Sequence, residues 1–189
     1  YKKLFSASIV DRPIADLFVP SPMIEIGFKS KGEAEEIGEV VRSPVSFDDM
    51  VNSRMNYLIL SYPEYGKTTL LQQVCLEISK CSSLGNGSHS VPVLLEFRDF
   101  SPGSNRIERA IRASLPELPV GITIVEMLQH GMLTVCVDDI EPTDSVRMRI
   151  LSQFISSSNN NRFILSSRRT REAEYMKLDL GISVQIQQV

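Results

Sequence analysis

The stretch Tyr57-Leu58-Ile59-Leu60-Ser61-Tyr62-Pro63-Glu64-Tyr65-Gly66-Lys67-Thr68-Thr69-Leu70-Leu71 decides the reading of this chain. Its first four residues are an apolar run of strand length. From Thr68 to Lys80, residues Leu70, Leu71, Val74, Cys75 and Ile78 recur on one helical face. Strand, loop, Gly-Lys-Thr, helix is the order in which a phosphate-binding P-loop is built. A helix N-terminus offers backbone N–H groups and the positive end of its dipole to an anion. The pattern therefore predicts that Ser61 to Thr69 cradle the phosphates of a nucleoside triphosphate. Lys67 would bridge the β- and γ-phosphates, and the Thr68 hydroxyl would ligate Mg²⁺.

The loop departs from the usual G-x-x-x-x-G-K-[ST] in two ways. Ser61 stands where the first glycine normally frees the turn out of the strand. Glu64 places a carboxylate in a loop meant for anions, so it is expected to point outwards or to weaken binding. A chance strand–turn–helix is the bland alternative, and a second motif argues against it.

That motif is Thr134-Val135-Cys136-Val137-Asp138-Asp139-Ile140-Glu141, about 70 residues after Lys67. A strand buried on both faces delivers carboxylates to the carboxyl edge of a parallel sheet, where ligands of α/β folds sit. Asp138 is expected to hold Mg²⁺ through water, because that ion keeps several waters in such sites. Asp139 and Glu141 are both candidates to orient or deprotonate the attacking water. A third run, Phe163-Ile164-Leu165-Ser166-Ser167-Arg168-Arg169, ends a further strand. A guanidinium at Arg168 could reach a γ-phosphate with a bidentate geometry that lysine lacks. Taken alone, either the acidic or the basic cluster reads as a solvated turn.

Composition narrows the class. The chain has 189 residues, is 42% hydrophobic and 23% charged, and carries a net charge of −3, as one ordinary globular domain does. No global basic field points to nucleic acid. Cys75, Cys81 and Cys136 are odd in number and widely spaced, which fits reduced thiols in a cytoplasmic protein. His89 and His130 are too few for a histidine-built zinc site. No run approaches the roughly 18 apolar residues of a membrane span, and no signal peptide is visible. The chain begins without methionine at Tyr1 and stops at Val189 straight after an apolar run, which reads as a fragment of a longer polypeptide.

Along the chain, Ile14 to Val19 is apolar and leads into Pro20-Ser21-Pro22 near the expected nucleotide end. Glu25 to Ser43 is charged and glycine-dotted, as in an exposed loop or hairpin. Ser46 and Asp49 form a helix-start pattern, and Thr123 with Glu126 forms another, closed by Gly131. Strands are expected at Tyr57–Leu60, Val91–Phe97, Met132–Val137, Arg162–Leu165 and Ile182–Ile186. Helical periodicity recurs through Ile107, Ala110 and Ile111 and through Val146, Ile150, Leu151 and Phe154. Alternation of short apolar strands with helices predicts an α/β fold, with a mostly parallel sheet covered on both faces.

These residues resemble the NACHT branch of the STAND NTPases, the nucleotide switches of prokaryotic defence and innate immune receptors. The resemblance rests on Phe18-Val19-Pro20, the run Gly66 to Leu71, Val91 to Asp99, Gly131 before the acidic strand, and Ser166-Ser167-Arg168. It implies a three-layer core, residues 57–189, with a five-stranded sheet of order 5-1-4-3-2. Residues 1–56 would be a lead-in segment whose Val19 and Pro20 approach the adenine, with a short helix packing on the nucleotide site. It further implies ATP and Mg²⁺ as ligands, ADP-to-ATP exchange, slow hydrolysis, self-association, and control of an effector in antiviral defence or signalling. Lid, effector and sensor regions would lie outside this chain. Ser61, Glu64 and Asp139 replace family glycines, and Pro142 replaces the last acid of the D-G-L-D-E pattern. Family alignment puts Glu141 in the place of the catalytic acid, while general P-loop logic favours Asp139. The alternatives are an AAA+-like remodelling ATPase, with Arg109, Arg112 or Arg169 as a finger into a neighbour, and a non-hydrolysing scaffold with a degenerate loop.

Overall fold

A computed structural model describes residues 8–9, 12–13, 22–28, 40–83, 90–103, 105–115, 121–170, 172–173 and 184–188. Its centre is the run Tyr57–Ser61 (β5), buried at every position and flanked by parallel strands on both sides. Residues Arg162–Arg168 (β8) lie on one side and Val184–Gln188 (β9) on the other. Beyond β8 come Leu133–Ile140 (β7) and Val91–Glu96 (β6), both parallel. In chain order these five strands run 5-1-4-3-2, as expected.

The sheet is nevertheless wider than the sequence suggested. Met23–Phe28 (β3) and Val40–Val45 (β4) form a hairpin that joins β9 antiparallel, giving seven strands in the order β4-β3-β9-β5-β8-β7-β6. The expected count of five is corrected to seven. Ile24, Ile26 and Phe28 alternate as a strand requires, but the charged residues from Lys29 to Glu39 obscure that pattern. Pairing also satisfies the edge of β9, which would otherwise expose a row of N–H and C=O groups. Ser8–Ile9 (β1) and Arg12–Pro13 (β2) make a separate two-residue antiparallel pair.

Period-two alternation sends side chains to two cores. Leu58 and Leu60 of β5, Val135 and Val137 of β7, and Phe163 and Leu165 of β8 face one core. That core is covered by Arg106–Ser114 (α3), Ile124–Gln129 (α4) and Ser145–Ser157 (α5). Tyr57, Ile59, Cys136 and Ile164 face the other, against Phe47–Asn52 (α1) and Lys67–Ser83 (α2). There the thiols of Cys75 on α2 and Cys136 on β7 touch at 3.5 Å, both fully buried. Their contact and their burial push the Cys136 thiol well above its ordinary pKa. Cys81 lies within α2, which runs on to Ser83 beyond the Lys80 end that the periodicity marked.

The helix ends follow their local chemistry. The Ser46 hydroxyl accepts from Asp49 N–H at 2.9 Å, and Asp49 accepts back from Ser46 N–H. Thr123 and Glu126 repeat the arrangement at α4. Gly131 follows α4 with φ 65, and a Cβ there would sit 2.4 Å from the Asn160 carbonyl oxygen. Only glycine fits that close approach in a left-handed backbone. At the amino edge of the sheet, Arg162 donates to the carbonyls of Met50, Val51 and Met55, pinning the end of α1. Among the described residues, no helix is long and apolar enough to cross a membrane.

Candidate nucleotide site at the carboxyl edge of the sheet

Chain order puts the tips of β5, β7 and β8 side by side, and with them the three motifs. β5 runs straight into the loop, where Ser61 is fully buried and pairs with Arg168 of β8. The Ser61 carbonyl accepts from Arg169 N–H at 2.9 Å, tying the loop entrance to the end of β8. Ser61 has ordinary strand geometry, so the missing first glycine costs no backbone strain here. Positive φ values fall instead at Glu64 (67) and Gly66 (77). Glu64 is exposed to solvent.

The first intrahelical bond of α2 runs from Leu70 N–H to the Gly66 carbonyl at 2.8 Å. The N–H groups of Lys67, Thr68 and Thr69 precede it and project from the helix end, the geometry that favours an anion. Lys67 is 9% exposed, and its Nζ donates to the Tyr62 carbonyl across the loop at 3.3 Å. Burial lowers its pKa from the usual 10.5; Asp138 and Asp139 oppose that shift, and Arg168 adds to it. An ammonium held in a partly dry loop, short of full neutralisation, suits a polyphosphate.

Asp138, on β7, is the hub. The Thr68 hydroxyl donates to its Oδ2 at 2.5 Å, bridging α2 and β7. The Ser166 hydroxyl, fully buried on β8, donates to Oδ1 at 2.5 Å, and Asp139 N–H adds a third bond at 2.9 Å. Three donors on one carboxylate fix its rotamer. The β7–β8 register slips between Val137 and Ile140, and the extra residue is accommodated by Asp139 at φ 55. This β-bulge re-aims the acidic tip. Asp139 is 70% exposed, with Oδ1 4.0 Å from Arg168 Nε. Glu141 is also exposed, and its carboxylate accepts from the Thr143 hydroxyl at 2.9 Å.

The sequence missed Ser166 as the second holder of Asp138. Its signal was a hydroxyl two residues before Arg168 on a strand parallel to β7. Tyr62 and Tyr65 are both half exposed, with ring centroids 6.0 Å apart, and the Arg169 guanidinium lies 5.9 Å from the Tyr62 ring. Val19 and Pro20 fall outside the described residues.

The hard oxygen donors at Thr68 and Asp138 suit Mg²⁺. Among the described residues no group of three or more His, Cys, Asp or Glu side chains could hold a metal by itself.

Other clefts lie elsewhere among the described residues. One of about 440 Å³ sits at the amino edge beside Arg54, His130 and Asn160. Its inner polar groups serve the fold: Asn161 bonds Leu133 N–H and the Leu128 carbonyl, and Ser90 bonds Thr134. A groove of about 510 Å³ separates α3 from α5. The motif chemistry, rather than cleft depth, marks the carboxyl edge as the functional one.

No family model matches the sequence, and no curated protein matches it either. Among solved structures, the chain is similar to the Orc1 protein of Aeropyrum pernix in complex with DNA. The TM-score is 0.50 at 17% identity, over 71% of this chain and 39% of that one. The likeness shows the fold, an α/β architecture whose parallel sheet is flanked by helices. Weaker likenesses are PCH-2 of C. elegans (TM-score 0.45, 16% identity, 77% of this chain, 37% of that one) and AMPPCP-bound DnaA of Aquifex aeolicus (0.43, 16%, 75%, 43%). The chain spans about two fifths of the length of each of these three structures.

Proposed function

We propose that this chain is the nucleotide-binding core of an ATP-driven switch of the NACHT/STAND kind, cycling between ADP and ATP with slow hydrolysis. The observation that carries the reading is the 2.5 Å bond between Thr68 and Asp138, residues from separate motifs and separate elements. The α2 N-terminus and Lys67 bind the phosphates, and Thr68 with Asp138 hold Mg²⁺, which offsets phosphate charge when bound. Arg168 reads the γ-phosphate. Glu141 and Asp139 are the carboxylates available to the attacking water. In this reading residues 57–189 form the core, residues 1–56 lead into it, and Val19 and Pro20 approach the adenine. Self-association and an effector role in defence or signalling, in the cytoplasm, complete this reading.

Calorimetry with ATP and ADP tests the proposal. Lys67→Ala should abolish binding while leaving the melting curve intact, and unchanged ATP affinity in that variant refutes the site. Glu141→Gln should bind ATP normally but lose turnover. The likeness to an Orc1 protein solved with DNA keeps nucleic acid among the partners to test. Hydrolysis strongly stimulated by DNA or RNA would favour a remodelling ATPase over a switch.

A further inference from the structure

Asp139 stands where the resemblance places glycine, and its backbone keeps a left-handed, glycine-like conformation, φ 55. That conformation turns its N–H inward, to Asp138 Oδ1 at 2.9 Å and Ser166 Oγ at 3.2 Å. The side chain goes the other way, towards Arg168, with Oδ1 to Nε at 4.0 Å. A glycine would supply the same N–H; the carboxylate is what this chain adds. It therefore lies beside the one guanidinium assigned to the γ-phosphate, and a guanidinium fork engages one bidentate anion at a time.

We propose that Asp139 is a nucleotide-discriminating residue, a built-in competitor that occupies Arg168 until a γ-phosphate displaces it. The inference rests on the reading of this edge as a nucleotide site and adds to it a regulatory term. ATP must break the Asp139–Arg168 pair and lie beside the released carboxylate, whereas ADP leaves the pair in place. Asp139 thus biases the protein towards its ADP-bound form. Exposure suits the role: with side chains 59% and 70% exposed, the pair is weak enough to yield to a phosphate. The buried ammonium of Lys67 feels both charges, which places them within electrostatic reach of the phosphates it would hold.

The test is a titration of ATP and of ADP in EDTA at low salt, so that metal coordination at Asp138 does not enter. Wild type, Asp139→Asn, Arg168→Ala and the double variant are compared. Asparagine tolerates the left-handed backbone, and Asp139→Gly serves as a second variant. Asp139→Asn should raise the preference for ATP over ADP by about two- to fivefold, the range of an exposed ion pair. The gain should vanish in the Arg168→Ala background and shrink in about 1 M salt. An unchanged preference in variants that still bind both nucleotides overturns this inference alone, as does an equal gain without Arg168. A wild type that binds neither nucleotide in EDTA nor with Mg²⁺ restored overturns the site reading and this inference with it.

Discussion

Removing the Ser166 hydroxyl is the sharpest probe of the hub at Asp138. In Ser166→Ala the carboxylate, only 6% exposed, loses a 2.5 Å donor and keeps Thr68 and Asp139 N–H. A hydrogen bond to a charged group is worth about 1.5–3 kcal/mol, and buried Ser166 lets little water replace it. For a chain of this length each kcal/mol moves the midpoint by about 2–4 °C, so the expected drop is about 3–12 °C. Urea unfolding at neutral pH should show a lower midpoint with the slope unchanged. Thr68→Val removes the other hydroxyl and separates fold from function. With ATP and Mg²⁺ added, Ser166→Ala should still gain thermal stability, while Thr68→Val should gain almost none. A Ser166→Ala protein within about 0.5 kcal/mol of wild type, the range of an ordinary surface change, would falsify the three-donor description of Asp138.

Two further outcomes follow from features away from the hub and at its edge. Gly131→Ala forces a Cβ to within 2.4 Å of a backbone oxygen in a left-handed residue, so it should destabilise the fold. The expected loss is about 2–4 kcal/mol, combining the conformational penalty with overpacking, and is readable by chemical denaturation. Lys67 has a pKa below 10.5 in the folded chain, so between that folded value and 10.5 the unfolded chain binds more protons and stability rises with pH. ATP affinity should fall across the same window, as the ammonium discharges. Both trends are measured as the difference between wild type and Lys67→Met, and parallel pH curves for the two proteins would sink the assignment.

Much of the fold was legible because its central strands are short, apolar and separated by helices of clear period. The order of the five parallel strands was what the resemblance implied, and it brings the tips of β5, β7 and β8 together. The hairpin β3–β4 was not read as part of the sheet. Its alternating residues are few, and its place is fixed by the free edge of β9, a tertiary fact. The backbone at Glu64 and Asp139 was likewise hidden. The resemblance marks both positions as lost glycines, and the structure keeps a glycine-like φ at each, so the conformation outlasts the residue type. At Ser61, by contrast, the strand runs on in ordinary geometry and no glycine is needed. Ser166 escaped notice because its role depends on the pairing of β7 with β8, whose register sets Ser166 beside Asp138 and which no linear spacing reveals.

The two outermost strands of the described sheet each contain a proline, Pro44 in β4 and Pro92 in β6. A residue without an amide hydrogen interrupts the ladder that another chain would need in order to add a strand. Both margins are thereby poor templates for edge-to-edge growth. Contacts between copies of this chain are directed away from these two margins and towards helices and loops.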